Sequence, residues 1–182
     1  MLFMKILTFP QNETSPGFEG LVRPHIQYLY RLAYRFCGNQ EDAEDLVQDL
    51  LVKLFPRQSE LEQVEKLRPW LVTTLYRMFV DNTRKKARSP LELVNDEKTF
   101  YDTTGNEEYT PDEVLAEDQR IDRIQAAFNR LSEEHRVILT LHDIEGYRLV
   151  ELETMLGVPV GTLKSRIHRA RSRMRDLLGT ES

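Results

Sequence analysis

The chain has 182 residues, a formal net charge of -5 and 40% hydrophobic residues, enough for one large or two small domains with true cores. The negative total excludes indiscriminate coating of nucleic acid, and a lone Cys37 excludes an internal disulfide or a cysteine cluster for zinc. With no apolar run long enough to span a bilayer and no secretory leader, membrane insertion is not expected and a reducing cytoplasm is the expected location.

Residues 1–17 read as an N-terminal extension, mildly apolar over Met1 to Pro10. Val22, Ile26, Leu29, Ala33 and Phe36 then recur at helical spacing until Gly38 stops the run. Asn39 suits the N-cap of a second helix, with Glu41 and Asp42 in its first turn and Ala43, Leu46, Val47, Leu50 and Leu54 turned inward. Pro56 ends it. Its outward face sets Glu41, Glu44, Asp45, Gln48 and Asp49 beside Val52 and a partly turned Leu51. An acidic strip edged with apolar side chains suits a basic protein partner.

Pro69 opens a third helix, expected to reach about Arg88, with Leu71, Thr74, Leu75, Met78 and Asn82 inward and Tyr76, Arg77, Val80, Thr83 and Arg84 outward. An aromatic among basic side chains matches single-strand binding, in which bases stack on rings while Lys and Arg follow the phosphates. Trp70 and Phe79 flank that face, and the polar segment from Arg57 to Lys66 is placed to touch an extruded base. Residues 18–90 thus form one helical domain. Between Leu91 and Arg123 stand eleven acids against three bases, so residues 91–118 read as a flexible acidic linker.

Residues 119–179 form a second helical domain. Ile121, Ile124, Phe128 and Leu131 make one stripe, and Val137, Ile138, Leu141 and Ile144 another, with Ser132 as N-cap and Gly146 as stop. Leu149, Leu152 and Leu156 precede Gly157, and Pro159 suits the start of a last helix. In that helix Leu163, Ile167, Ala170, Met174 and Leu177 face inward, and six Lys/Arg fall between Lys164 and Arg175 without an acid. Two helices joined by a short glycine turn make a helix-turn-helix, whose second helix enters the major groove. Thr162, Lys164, Ser165 and His168 are expected at base edges, with Arg166, Arg169, Arg171 and Arg173 on phosphates. Glu153 stands where such a motif carries a small residue, so it is expected to extend past the helix contact, to pair with an arginine, or to change the angle at which the two helices pack.

His25, His135, His142 and His168 are scattered without metal-ligand spacing, and no phosphate loop or nucleophile motif is present. Neither a metal, a cofactor nor catalysis is expected. A stand-alone helix-turn-helix regulator would account for the second domain, but it would need neither the acidic helix nor the aromatic and basic one.

The order of parts resembles a sigma-70 family factor of the extracytoplasmic-function (ECF) type over nearly the whole chain. D-A-E-D-L-V-Q-D-L-L-V-K-L-F from Asp42 to Phe55 is similar to the family's polymerase-binding helix, W-L-V-T-T-L-Y-R-M-F-V-D-N-T-R-K-K-A-R from Trp70 to its −10 helix, and L-G-V-P-V-G-T-L-K-S-R-I-H-R-A-R from Leu156 to its −35 helix. The resemblance implies an all-α protein of two small domains that binds RNA polymerase core, recognises −10 and −35 promoter DNA and opens it, with an anti-sigma factor as a further partner. It implies core binding by Glu41, Glu44, Asp45, Gln48, Asp49 and Val52, −10 contact and melting by Trp70, Tyr76, Arg77, Val80, Asp81, Arg84 and Lys85, and capture of a flipped base by the Arg57 to Lys66 segment. Two departures stand out: Tyr76 and Arg77 replace the family's usual Arg-Asn pair, and Glu153 replaces its usual Ala.

Overall fold

The computed structural model describes residues 17–88 and 111–179, and every regular element among them is helical. The N-terminal extension and most of the acidic linker lie outside the described residues. Helix α1 spans Phe18–Cys37 and ends where Gly38 takes φ 80°, its N–H donating to the Tyr34 carbonyl. Helix α2, Gln40–Leu54, starts under Asn39, whose Oδ1 accepts from the Asp42 N–H at 2.9 Å. A 3-10 turn, Phe55–Arg57, and the short α3, Gln58–Leu61, lead to α4, Leu67–Arg88. The polar segment after α2 is therefore folded, and Leu61 anchors it in the core.

The expected inward residues of α2 are all buried. So is Leu51, which the spacing alone places on the outer face. Helix α1 is packed on more than one side, because α2, α4 and α6 all meet it, so Tyr30, Leu32 and Tyr34 join its single expected stripe. On α4, Val72 and Phe79 are core residues, with Phe79 tilted against Phe36 at 5.5 Å between ring centres.

The second unit comprises α5 (Pro111–Asn129), α6 (Glu133–Leu139), a π-helical turn (Thr140–Ile144), α7 (Leu149–Leu156) and α8 (Val160–Gly179). Phe128 and Leu131 are buried as expected, whereas Ile121 and Ile124 remain 40% exposed. Ser132 holds the extended N-cap conformation of α6 but makes no side-chain cap bond. The π turn accounts for the misplacement of Ile144. The Glu145 N–H reaches back five residues to the Thr140 carbonyl at 2.9 Å, so the helical period running through Val137 and Leu141 slips and Ile144 emerges half-exposed. Gly146 (φ 75°) and Gly157 (φ 68°) then stop the two helices as expected.

The two units touch directly. Arg136 on α6 is 7% exposed and reaches the carboxyl end of α1, where Nε and Nη2 donate to the Phe36 carbonyl and Nη2 to that of Cys37, all at 3.1 Å. Nη1 donates to Leu131 and Asn129 carbonyls within its own unit, at 2.8 and 3.3 Å. The last carbonyls of a helix lack intrahelical donors and carry partial negative charge, so a guanidinium there answers both deficits. Burial lowers the Arg136 pKa from its ordinary value. At the rim of the same seam Glu145 pairs with Arg35 at 3.2 Å and Arg68 at 3.6 Å, and Arg68 lies 3.8 Å over the Tyr28 ring.

Candidate nucleic-acid and polymerase interfaces

Helix α8 keeps its apolar stripe inward, with Leu163, Ile167, Ala170 and Leu177 buried. That orientation leaves Thr162, Lys164, Ser165, His168, Arg169 and Arg173 exposed. The Ser165 hydroxyl turns back to donate to the Thr162 carbonyl at 2.8 Å, which fixes its oxygen near the helix surface. Two of the expected phosphate ligands are already held in ion pairs, and Arg169 Nε donates to the Ser165 carbonyl at 3.3 Å. Arg166 is half-buried and pairs with Glu134 at 2.9 Å, and Arg171 holds Asp143 through both Nε (2.9 Å) and Nη2 (2.6 Å). The fork geometry gives this second pair direction as well as attraction. Glu153 is exposed, and in place of an arginine it engages backbone: Oε1 accepts from the Val160 N–H at 2.9 Å.

The residues expected at the −10 element divide between surface and seam. Arg77, Asp81, Arg84 and Lys85 are exposed on α4. Trp70 is half-buried with the Arg57 guanidinium 5.7 Å from its ring centre, so the segment after α2 lies against the proposed stacking aromatic. Val80 is half-buried, and Tyr76 packs edge-on to Phe36 at 6.5 Å. Burial raises the Tyr76 pKa, and Arg166 and Glu134 of the second unit act on its hydroxyl from across the seam. The expected single open face of α4 is thus partly covered.

On α2, Glu41, Asp45, Gln48 and Asp49 are exposed and Glu44 is half-buried, accepting from Gln40 Nε2 at 2.7 Å. Val52 is 75% exposed. Next to it, Phe55 is 56% exposed while its ring meets Phe18 edge-on at 5.4 Å. Phe55 ends the run from Asp42 and is absent from its expected contact residues; a large aromatic directly before the helix-breaking Pro56 is the sequence signal for it. Asp45 and Asp49 also line a cleft with Lys85, Lys86 and Glu133, and Lys86 bonds Asp42 there. Burial alone would raise the Asp42 pKa, but the bonds from Asn39 and Lys86 outweigh it and hold the carboxylate below its ordinary range.

Among the described residues no group of His, Cys, Asp and Glu is arranged to hold a metal ion, and no helix is long and apolar enough to cross a membrane. Residues 21–89 match the family Sigma-70 region 2, and residues 121–174 match Sigma-70, region 4. The chain is 36% identical over 167 residues to the ECF RNA polymerase sigma factor SigE of Mycolicibacterium smegmatis, covering 92% of this chain and 63% of that protein. It is 33% identical over 148 residues to the ECF sigma factor SigL of Mycobacterium tuberculosis, with 80% of each chain covered. The sigma factor RpoE of Bartonella quintana, solved in complex with the anti-sigma factor NepR, superposes with a TM-score of 0.66 at 26% identity over 92% of this chain and 100% of that one. An acidic helix edged with apolar side chains, an aromatic and basic helix and a helix-turn-helix, in this order and with these matches, place the chain in the sigma-70 family of RNA polymerase sigma factors, among the ECF type.

Proposed function

We propose that the protein is an alternative sigma factor that binds RNA polymerase core, recognises −10 and −35 promoter elements and promotes DNA opening. The observation that carries this reading is the pairing of a region 2 unit with a region 4 unit whose helix α8 turns Thr162, Lys164, Ser165, His168 and Arg169 to solvent. In the reading, residues 18–90 bind polymerase and the −10 element, residues 119–179 bind the −35 element, and residues 91–118 tether the two.

The division of labour follows from charge and shape. Glu41, Glu44, Asp45, Gln48, Asp49 and Val52 meet a basic surface of the core enzyme, and Phe55 extends the apolar edge of that contact. Arg84 and Lys85 follow the phosphates of the −10 region. Trp70 offers the stacking face for an unpaired base, an interaction worth about 1–3 kcal/mol, while Arg77 and Asp81 flank it and Tyr76 and Val80, half-buried in the free protein, join that surface once uncovered. On α8, Thr162, Lys164, Ser165 and His168 read base edges at about 1–3 kcal/mol for a good contact, and Arg169 and Arg173 hold phosphates. Arg166 and Arg171 reach DNA after release from Glu134 and Asp143. The chain contributes recognition and strand separation through binding energy, and bond formation belongs to the polymerase. Such a protein works in the cytoplasm, and an anti-sigma factor is its expected inhibitor.

The test is transcription in vitro with core polymerase and fragmented genomic DNA, followed by mapping of start sites. A shared pair of upstream elements at the starts that depend on this protein is the expected result. Absence of any such start overturns the proposal.

A further inference from the structure

Pro159 precedes α8 and has no side-chain acceptor, so the first turn of that helix lacks the cap that Ser, Thr, Asn or Asp would supply. The Leu163 N–H bonds the Pro159 carbonyl at 3.0 Å, which leaves the N–H groups of Val160, Gly161 and Thr162 ahead of the first intrahelical bond. Glu153, on the preceding helix, fills part of this gap, since its Oε1 accepts from the Val160 N–H. The same residue anchors the turn through its backbone, because its carbonyl accepts from Gly157 at 2.9 Å. Both the turn and the start of α8 therefore close on Glu153, and its carboxylate is fixed at the N-terminal end of α8 while remaining exposed.

That location has an electrostatic meaning in a helix-turn-helix. The first helix crosses the DNA backbone and the second enters the groove by its N-terminal end, whose free N–H groups and positive dipole end favour a phosphate. Here a protein carboxylate occupies that environment before any phosphate arrives. It takes one of the donors and sets a like charge against the DNA backbone. On the basis of the promoter reading, we propose that Glu153 is a negative determinant of DNA affinity, an internal anion that weakens the phosphate grip of α8. The reading helix then draws a larger share of its binding from base edges, so Glu153 favours discrimination over affinity.

Capping and charge can be separated by substitution. Glu153→Gln keeps an oxygen acceptor for the Val160 N–H and removes the charge, whereas Glu153→Ala removes both. Full-length wild-type and variant chains would be titrated, over a series of potassium chloride concentrations, into a short fluorescein-labelled DNA duplex of mixed sequence. Thermal unfolding would be followed in parallel. E153Q is expected to bind about two- to fivefold more tightly at low salt, the range for one charge at a helix end, with a salt slope steeper by up to about one. Its thermal midpoint should fall slightly, because the hydrogen bond is kept while the attraction of the carboxylate to the helix end is lost. E153A is expected to bind more tightly as well, with a lower midpoint from the lost cap. Equal or weaker binding by E153Q overturns the proposal, since Glu153 would then be a cap alone or a favourable DNA contact. The comparison uses generic duplex without polymerase, so it is independent of the start-site mapping. Loss of promoter-specific transcription by wild type would defeat the sigma-factor reading and leave the E153Q ratio as a separate result.

Discussion

Replacing Arg136 with methionine tests whether one side chain couples the two halves of the molecule. Methionine approximates the aliphatic stem, so the change removes the guanidinium with little alteration of packing. It leaves the Phe36, Cys37 and Leu131 carbonyls without the charged donor that each now has within 3.1 Å. Losing a charged donor costs about 1–3 kcal/mol per buried acceptor. Relief from burying the guanidinium offsets part of that sum, and a net loss of about 3 kcal/mol is expected for a buried charged network broken on one side. Such a loss is about a hundredfold in the unfolding constant and about 1–2 M in the urea midpoint. Trp70, the only tryptophan, reports the first unit by fluorescence, and far-UV circular dichroism reports both. The two signals should coincide in wild type and separate in R136M, with the helical signal of the second unit lost first. Glu145→Gln serves as a control at the rim and should shift the stability by less than about 1 kcal/mol, because its arginine partners are partly solvated. Coincident transitions in R136M, or a stability within about 0.5 kcal/mol of wild type, would refute the role assigned to Arg136.

Three other perturbations bear on the interfaces and the seam. Lys164→Ala and Arg169→Ala should each weaken promoter binding by holoenzyme; a lost base contact appears as about 1–3 kcal/mol at one sequence position, a lost phosphate contact as a shallower salt slope in filter-binding titrations. Reversing the charges of Asp45 and Asp49 should reduce co-purification with core polymerase while leaving the circular dichroism spectrum unchanged, since both side chains are exposed. Cys37 sits at the α1 end of the seam, where burial, with Asp42 nearby, pushes its thiol up to about 12. At a pH of about 8 it is therefore protonated and should react slowly with a thiol reagent, and R136M should accelerate the reaction by opening the contact that covers it.

The helical architecture was legible because each half of the chain writes its core at a period of about 3.6 residues, as the stripes of α2 and α8 illustrate. The stops were equally plain, with Gly38, Gly146 and Gly157 all in the left-handed region that their backbone positions require. Errors arose where burial has more than one source. Leu51 and Val72 lie off the main stripe of their helices and are buried all the same, because neighbours cover a second flank. Ile144 was misplaced because a period extrapolated from Val137 cannot anticipate a π turn. Arg136 escaped notice for a different reason: its acceptors on α1 lie 99 and 100 positions away in sequence, and a periodic pattern carries no information about such a partner. Glu153 is accommodated by a backbone donor, the Val160 N–H, which no side-chain pattern reveals.

The π turn at Thr140–Ile144 also acts as a gauge of length. It carries one residue more than an α-helical turn would need, and that extra residue sets the angle at which Asp143 meets Arg171 and Glu145 meets Arg35 and Arg68. Deleting a single residue there would restore ordinary helical winding and rotate the chain beyond it by about 100°. Glu145 would leave Arg35 and Arg68 and loosen the rim of the seam, and Asp143 would turn from Arg171 where α8 keeps its packing on α6. The turn thus sets both the Asp143–Arg171 pair on α8 and the Glu145 pairs at the seam, and conservative substitutions within it should be tolerated where a change of its length is not.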